Sequence, residues 1–250
     1  MRVNNFDIAK TLGSGQTFVW MNLDDLWIRF AEPFLVLQVV NDEIKIIKGK
    51  EKDVIETLGL NDNIELINHE INKDEFISKA IEFGKGIRVV KDGIWVSTLS
   101  FLLSIQSNIP LIKSRVLKLA IKFGKKVSFL NNEIFLIPTP YQINILKISK
   151  KDFGFRYKFI KSAVLEFRKR RPQINNIKGV GDKVRECILL YGDHQLQRFP
   201  IDIWIKRAIK MFYPKMYDNN VIKMRERMTK YFGDYAGYAQ LYLYHYIRNL

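Results

Sequence analysis

The hydrophobic pattern changes period once along the chain. From Thr17 to about Lys48, apolar and aromatic residues come in short β-rich runs. Thr17-Phe18-Val19-Trp20-Met21 is the first and Leu26-Trp27-Ile28-Arg29-Phe30 the second. Phe34 to Val40 is the third, and Glu43 to Ile47 the fourth. Asn22-Leu23-Asp24-Asp25, Pro33 and Asn41-Asp42 separate them, so the pattern predicts an antiparallel meander. Before it, Asp7 to Leu12 is followed by Gly13-Ser14-Gly15-Gln16, which reads as a turn into the first strand. Glu51 to Leu58 has helical spacing, and a second short helix is expected before Ile71.

From about Asn72 the period is that of a helix. Lys73 to Phe83 places Phe76, Ile77, Ala80, Ile81 and Phe83 largely on one side, and Gly84 can end that helix. Gly93 to Ser107 is nearly all apolar and too short to span a bilayer, so it reads as the buried central helix of a bundle. Ile109-Pro110 starts another helix, with proline at a tolerated early position, and Gly124 stops it after Phe123. Pro138 and Pro140 mark a loop. Arg156 to Arg171 is helical and ends in Arg168-Lys169-Arg170-Arg171. Pro200 to Trp204 opens a helix that ends near Tyr213-Pro214, and the last helices cover about Asn220 to Leu250. The fold class is therefore α+β. An N-terminal antiparallel β domain is expected over residues 1–71 and an all-α domain over residues 72–250.

Composition narrows the partner. The 250 residues carry 41 Lys+Arg against 26 Asp+Glu, a net charge of +15. That balance favours a polyanion, with nucleic acid ahead of an anionic membrane surface. No apolar run is long enough for a transmembrane helix, and Met1 to Asp7 lacks the apolar core of a signal peptide. An intracellular protein with a nucleic-acid partner is the expectation. The single cysteine, Cys187, excludes an internal disulfide framework, a four-cysteine iron–sulfur cluster and a cysteine-based zinc site. His69, His194 and His245 have no metal-ligand spacing, so no cofactor is expected.

Candidate chemistry gathers between Asn176 and Trp204. Gly179-Val180-Gly181 allows a tight turn, and N–H groups opening onto a helix N-terminus suit a phosphate. By itself this also fits an ordinary helix–turn–helix corner with Lys183 as a surface lysine. Asp202 heads the next helix, where a plain N-cap would explain it. It lies one helix and one loop after Lys183, so antiparallel packing can return the carboxylate to the amine. A desolvated lysine can act as an amine nucleophile, and a nearby carboxylate can stabilise a sugar oxocarbenium. Cys187 falls on the Lys183 face of the helix, where it also fits as a small buried apolar residue.

At these residues the chain resembles the helix-hairpin-helix DNA glycosylase superfamily. Gly179-Val180-Gly181-Asp182-Lys183-Val184 and Phe199-Pro200-Ile201-Asp202-Ile203-Trp204 carry the resemblance, which is closest to the eukaryote-type 8-oxoguanine DNA glycosylase/AP lyases. It extends to Phe6 through Trp20, Ser100 through Ile109, Gly154 through Ile160 and Gly237 through Tyr244, in the family's order. The resemblance implies that Lys183 attacks the sugar C1′ and that Asp202 stabilises the transition state. Gly15 would accept the N7–H that 8-oxoguanine has and guanine lacks. Gln240 would read the base edge, and Cys187 and Tyr244 would sandwich the base. The partner would be double-stranded DNA containing 8-oxoguanine.

The duplex contacts implied are Gln106 and Asn108 in a wedge loop, Phe155 and Arg156 beside the estranged base, and Gly179, Gly181 and Lys183 N–H groups on a phosphate. The carbonyls of Ile177 and Val180 could hold a structural cation. Gln106 replaces the family's usual asparagine, Trp204 replaces a frequent histidine, and the N-terminal domain is shorter than usual. A glycosylase of this fold for another damaged base stays open, as does a non-catalytic helix-hairpin-helix DNA-binding module. Lys183 argues against a monofunctional alkylbase enzyme, and the lack of a cysteine cluster argues against an endonuclease III-like one.

Overall fold

Short β-branched and aromatic runs build the N-terminal sheet. The computed structural model describes residues 1–40 and 43–250, so the expected Asn41-Asp42 turn lies outside the described residues. Strands β1 (Trp20–Leu23), β2 (Leu26–Arg29), β3 (Leu35–Val40) and β4 (Glu43–Lys48) form an antiparallel sheet in that order. The first strand starts later than its apolar run. Phe18 and Val19 are buried ahead of the ladder, and Phe18 meets Phe101 edge-on at 6.0 Å. These residues therefore fill the space between sheet and helices.

Helix α1 (Ile8–Gly13) precedes the sheet and is capped by Asp7. Helices α2 (Glu51–Thr57), α3 (Ile64–Ile71) and α4 (Glu75–Phe83) follow it. Asn63 and Asp74 cap the last two, each side chain accepting backbone N–H groups of the first turn. Helix α5 (Ile94–Ser104) is buried from Val96 through Leu103, as a central helix must be. Helix α6 (Ile109–Phe123) runs back along it.

The segment between Phe123 and Pro138 forms a hairpin that the hydrophobic pattern does not announce. Strands β5 (Lys126–Phe129) and β6 (Asn132–Phe135) pair antiparallel. Leu130 and Asn131 both have positive φ, 46° and 60°, which a two-residue hairpin turn requires. Asn131-Asn132 was the available cue. The hairpin docks on the N-terminal sheet: the Ile137 N–H donates to the Phe30 carbonyl at 2.8 Å, and Phe129 meets Phe34 at 6.4 Å. The remaining helices are α7 (Lys150–Phe153), α8 (Tyr157–Phe167), α9 (Asp182–Asp193), α10 (Ile203–Phe212), α11 (Val221–Phe232) and α12 (Ala236–Arg248). Helix α8 ends before the expected basic run, where the Arg168 guanidinium donates to the Pro140 and Ile143 carbonyls. One buried apolar cluster runs from Ile8 to Leu243.

A buried ion pair joins sheet to helices. The Arg29 guanidinium, on β2, donates to the Asp92 carbonyl at 2.9 Å and to its carboxylate at 3.4 Å. It also donates to the Pro33 carbonyl at 3.1 Å. Burial lowers the Arg29 pKa and raises that of Asp92, and each charge offsets part of the other's desolvation. The Asp92 N–H in turn donates to the Tyr191 carbonyl on α9 at 2.8 Å. Arg29→Met should destabilise the chain by about 3–5 kcal/mol, because it strands a buried carboxylate. Arg29→Met with Asp92→Leu should recover most of that loss. Urea unfolding of the two variants beside wild type checks both.

Candidate active site

The hairpin before α9 fixes where Lys183 emerges. Gly179 has φ +93°, and a Cβ there would lie 2.7 Å from the Phe159 ring, so only glycine fits. The Val180 N–H donates to the Ile177 carbonyl, and the Gly181 N–H to the Gly179 carbonyl, both at 3.1 Å. The Gly181 N–H is therefore engaged inside the turn rather than offered outward to a phosphate. Ile177 is buried and its carbonyl already accepts one hydrogen bond. One Asp182 carboxylate oxygen accepts from Arg185 at 2.8 Å and from Arg225, which ties the hairpin to α11.

Helix α9 presents Lys183, Cys187 and Tyr191 at four-residue spacing, hence on one face. These three, with Ser14, Gly15, Phe101, Pro200, Asp202, Gln240 and Tyr244, line a small cavity of about 40 Å³. The structure thus brings Lys183, Asp202, Cys187, Gly15, Gln240 and Tyr244 together. Phe101 and Tyr191 are lining residues that sequence reasoning missed. The four-residue recurrence after Lys183 and Cys187 points to Tyr191. No pattern marks Phe101, since its helix is apolar on every side.

The lining is largely neutral. The Lys183 ammonium lies 5.1 Å from the centre of the Phe101 ring, within cation–π range. Burial pushes the Cys187 thiol up to about 11, with the Lys183 charge opposing. Burial, then the Asp202 charge, pushes the Tyr244 phenol up to about 12. Tyr191 is raised well above its ordinary value, again mainly by burial. Asp202 caps α10, its Oδ1 accepting the Trp204 N–H at 3.0 Å and the Ile205 N–H at 2.9 Å. Its other oxygen stays outside the cap. The cap explains why the aspartate sits at this turn, and the cavity explains what it faces.

Gly15 closes the cavity from the N-terminal side. Its φ is +87°, and a Cβ would come within 3.1 Å of Ile109 and 3.5 Å of the Tyr244 hydroxyl. Gln16 locks this turn from behind. Its amide donates to the Thr11 carbonyl, the Ser14 hydroxyl and the Arg88 carbonyl, and accepts the Val90 N–H at 2.8 Å.

Gln106, Asn108, Phe155 and Arg156 lie outside the cavity on two adjoining loops. Gln106 is exposed with φ +49°, and Asn108 caps α6 by accepting the Leu111 N–H at 3.1 Å. Phe155 is 41% exposed. Arg156 is buried, and its guanidinium donates to the Ile105 and Gln106 carbonyls while covering the Phe155 ring at 4.3 Å. It braces one loop against the other. Trp204 is half-buried beside Arg207.

A four-stranded N-terminal sheet, a hairpin feeding the Lys183 helix and an aspartate capping the next helix are together the arrangement of the solved helix-hairpin-helix DNA glycosylase/lyases that this chain resembles. Within that class the solved structures most like this chain include 8-oxoguanine glycosylase/lyases. MBOgg1 in complex with a low-affinity DNA ligand superimposes with TM-score 0.91 and 27% identity over 99% of this chain and 93% of that one. The Clostridium acetobutylicum 8-oxoguanine glycosylase/lyase, bound to double-stranded DNA with cytosine opposite 8-oxoG, gives 0.88 and 26% over 98% and 92%. Among curated proteins, the Saccharomyces cerevisiae N-glycosylase/DNA lyase is 21% identical over 93% of this chain and 81% of its own length. A Methanothermobacter thermautotrophicus protein named "Probable N-glycosylase/DNA lyase" is 36% identical over 84 residues, which span 27% of that protein. No family model matches the chain. Among the described residues, no helix is long and apolar enough to cross a membrane.

Burial and the high pKa of Cys187 make one prediction. Alkylation by iodoacetamide at pH 8 should be at least about 100-fold slower in the folded chain than in urea, because the thiolate is the reactive form. Mass spectrometry of the single thiol against time checks it.

Proposed function

We propose that this chain is a bifunctional 8-oxoguanine DNA glycosylase/AP lyase acting as a monomer on double-stranded DNA. One observation carries the reading: Lys183, Asp202, Gly15, Cys187, Gln240 and Tyr244, drawn from four separate segments, converge on one cavity. The excess of lysine and arginine supplies the salt-dependent part of duplex binding. The target nucleotide leaves the stack at a cost of a few kcal/mol. Gln106 and Phe155, on the two loops braced by Arg156, fill the gap and contact the estranged base.

In the cavity the base lies between Cys187 and Tyr244, both of which burial holds neutral. The Gly15 carbonyl accepts the N7–H of 8-oxoguanine. Guanine would turn an acceptor to that carbonyl, which is a physical basis for selection. The neutral Lys183 amine attacks C1′ as the C1′–N9 bond breaks, and the base departs with the bond's electron pair and takes up a proton. Asp202 offsets the positive charge that develops on the sugar. The secondary ammonium so formed passes its proton to the departing base, its freed lone pair opens the C1′–O4′ bond, O4′ takes a proton from solvent, and a protonated Schiff base results. Loss of a C2′ proton expels the 3′ phosphate by β-elimination.

Borohydride trapping on a duplex carrying 8-oxoguanine tests the reading. Wild type should give a covalent adduct, and Lys183→Gln none. Asp202→Asn should bind the lesion duplex as wild type does and release base at least about 100-fold more slowly. No adduct with wild type, or one that survives Lys183→Gln, would refute the mechanism.

A further inference from the structure

The Tyr191 hydroxyl donates to Gln240 Oε1 at 3.0 Å, and the two side chains are 5% and 4% exposed. Both line the cavity. Tyr191 itself is held on two other sides. Its carbonyl accepts the Asp92 N–H at 2.8 Å, and its ring stacks on Phe101 at 5.7 Å and 24°. The phenol stays protonated, because burial raises its pKa well above the ordinary value. A buried hydroxyl proton needs an acceptor, and among the described residues Gln240 Oε1 is the one it meets. Turning the amide over would bring its NH₂ to the hydroxyl and leave that proton without an acceptor.

We propose that Tyr191 is a specificity-determining residue that fixes the orientation of the Gln240 amide, so that the cavity accepts a purine with a lactam edge and rejects one with a 6-amino group. The inference rests on the glycosylase reading above. An amide pairs with a lactam edge by donating N–H to O6 and accepting N1–H at its second lone pair. An adenine-type edge presents a donor at position 6 and an acceptor at N1, and needs the opposite orientation. With the orientation fixed, that base meets donor against donor and acceptor against acceptor. The Gly15 carbonyl cannot make this distinction, because 8-oxoguanine and 8-oxoadenine both carry N7–H.

The test is single-turnover base release from duplexes carrying 8-oxoguanine, 8-oxohypoxanthine or 8-oxoadenine at one position. Wild type should release the first two within about tenfold of each other and 8-oxoadenine roughly 100-fold more slowly. Tyr191→Phe keeps the ring and its stack and removes the hydroxyl. It should lower the preference for 8-oxoguanine over 8-oxoadenine by roughly tenfold. In a Gln240→Ala background the same change should leave that preference unaltered, which separates positioning of the amide from a general effect on the stack. Equal release of 8-oxohypoxanthine and 8-oxoadenine by wild type would overturn the inference without needing the variant. So would an unchanged preference in Tyr191→Phe, or an equal loss of preference in both backgrounds. Failure of wild type to release 8-oxoguanine would instead refute the glycosylase reading, and this inference with it.

Discussion

The pair Arg29–Asp92 is the constraint on which the candidate site depends. Charges taken out of water are retained only when they are matched and hydrogen-bonded. Here the match is made between a sheet strand and the loop that opens α5. The same loop residue donates to the Tyr191 carbonyl, so the pair sets the distance between the sheet and one wall of the cavity. Gln16 does the corresponding work for the Gly15 turn, with four hydrogen bonds from one buried amide. Two polar groups in otherwise apolar surroundings therefore locate the N-terminal part of the chain against the helices that carry Lys183 and Gln240.

Within that frame the site is a largely apolar chamber with an amine and a carboxyl group at its edge. Phe101, Tyr191, Cys187 and Tyr244 supply apolar or uncharged surface, and burial keeps their ionisable groups protonated. Lys183 brings an amine and Asp202 a carboxyl group, one near a helix start and one at a cap. In a low-polarity lining a single carboxylate acts more strongly on a developing cation than it would in water.

Much of the fold was legible in the sequence. The four β-branched and aromatic runs, separated by turn residues, mark all four strands in order. The change to helical spacing marks α4 through α6, with Gly84 and Gly124 at their ends. The β5–β6 hairpin was not legible. Its four-residue strands, half exposed, carry too few apolar positions to establish a period. Of the site, the α9 and α10 residues could be read from the hairpin motif and its resemblance. Phe101 could not be, since a helix buried on all sides has no face to single out.

The spacing of Lys183, Cys187 and Tyr191 along α9 limits how this chain can diverge. Each added residue turns a helix by about 100° and lengthens it by about 1.5 Å. One inserted residue between Lys183 and Tyr191 would swing Tyr191 off the cavity, part it from Gln240 and break its alignment with Asp92. Divergence here can accumulate by exchange of residues and not by change of length.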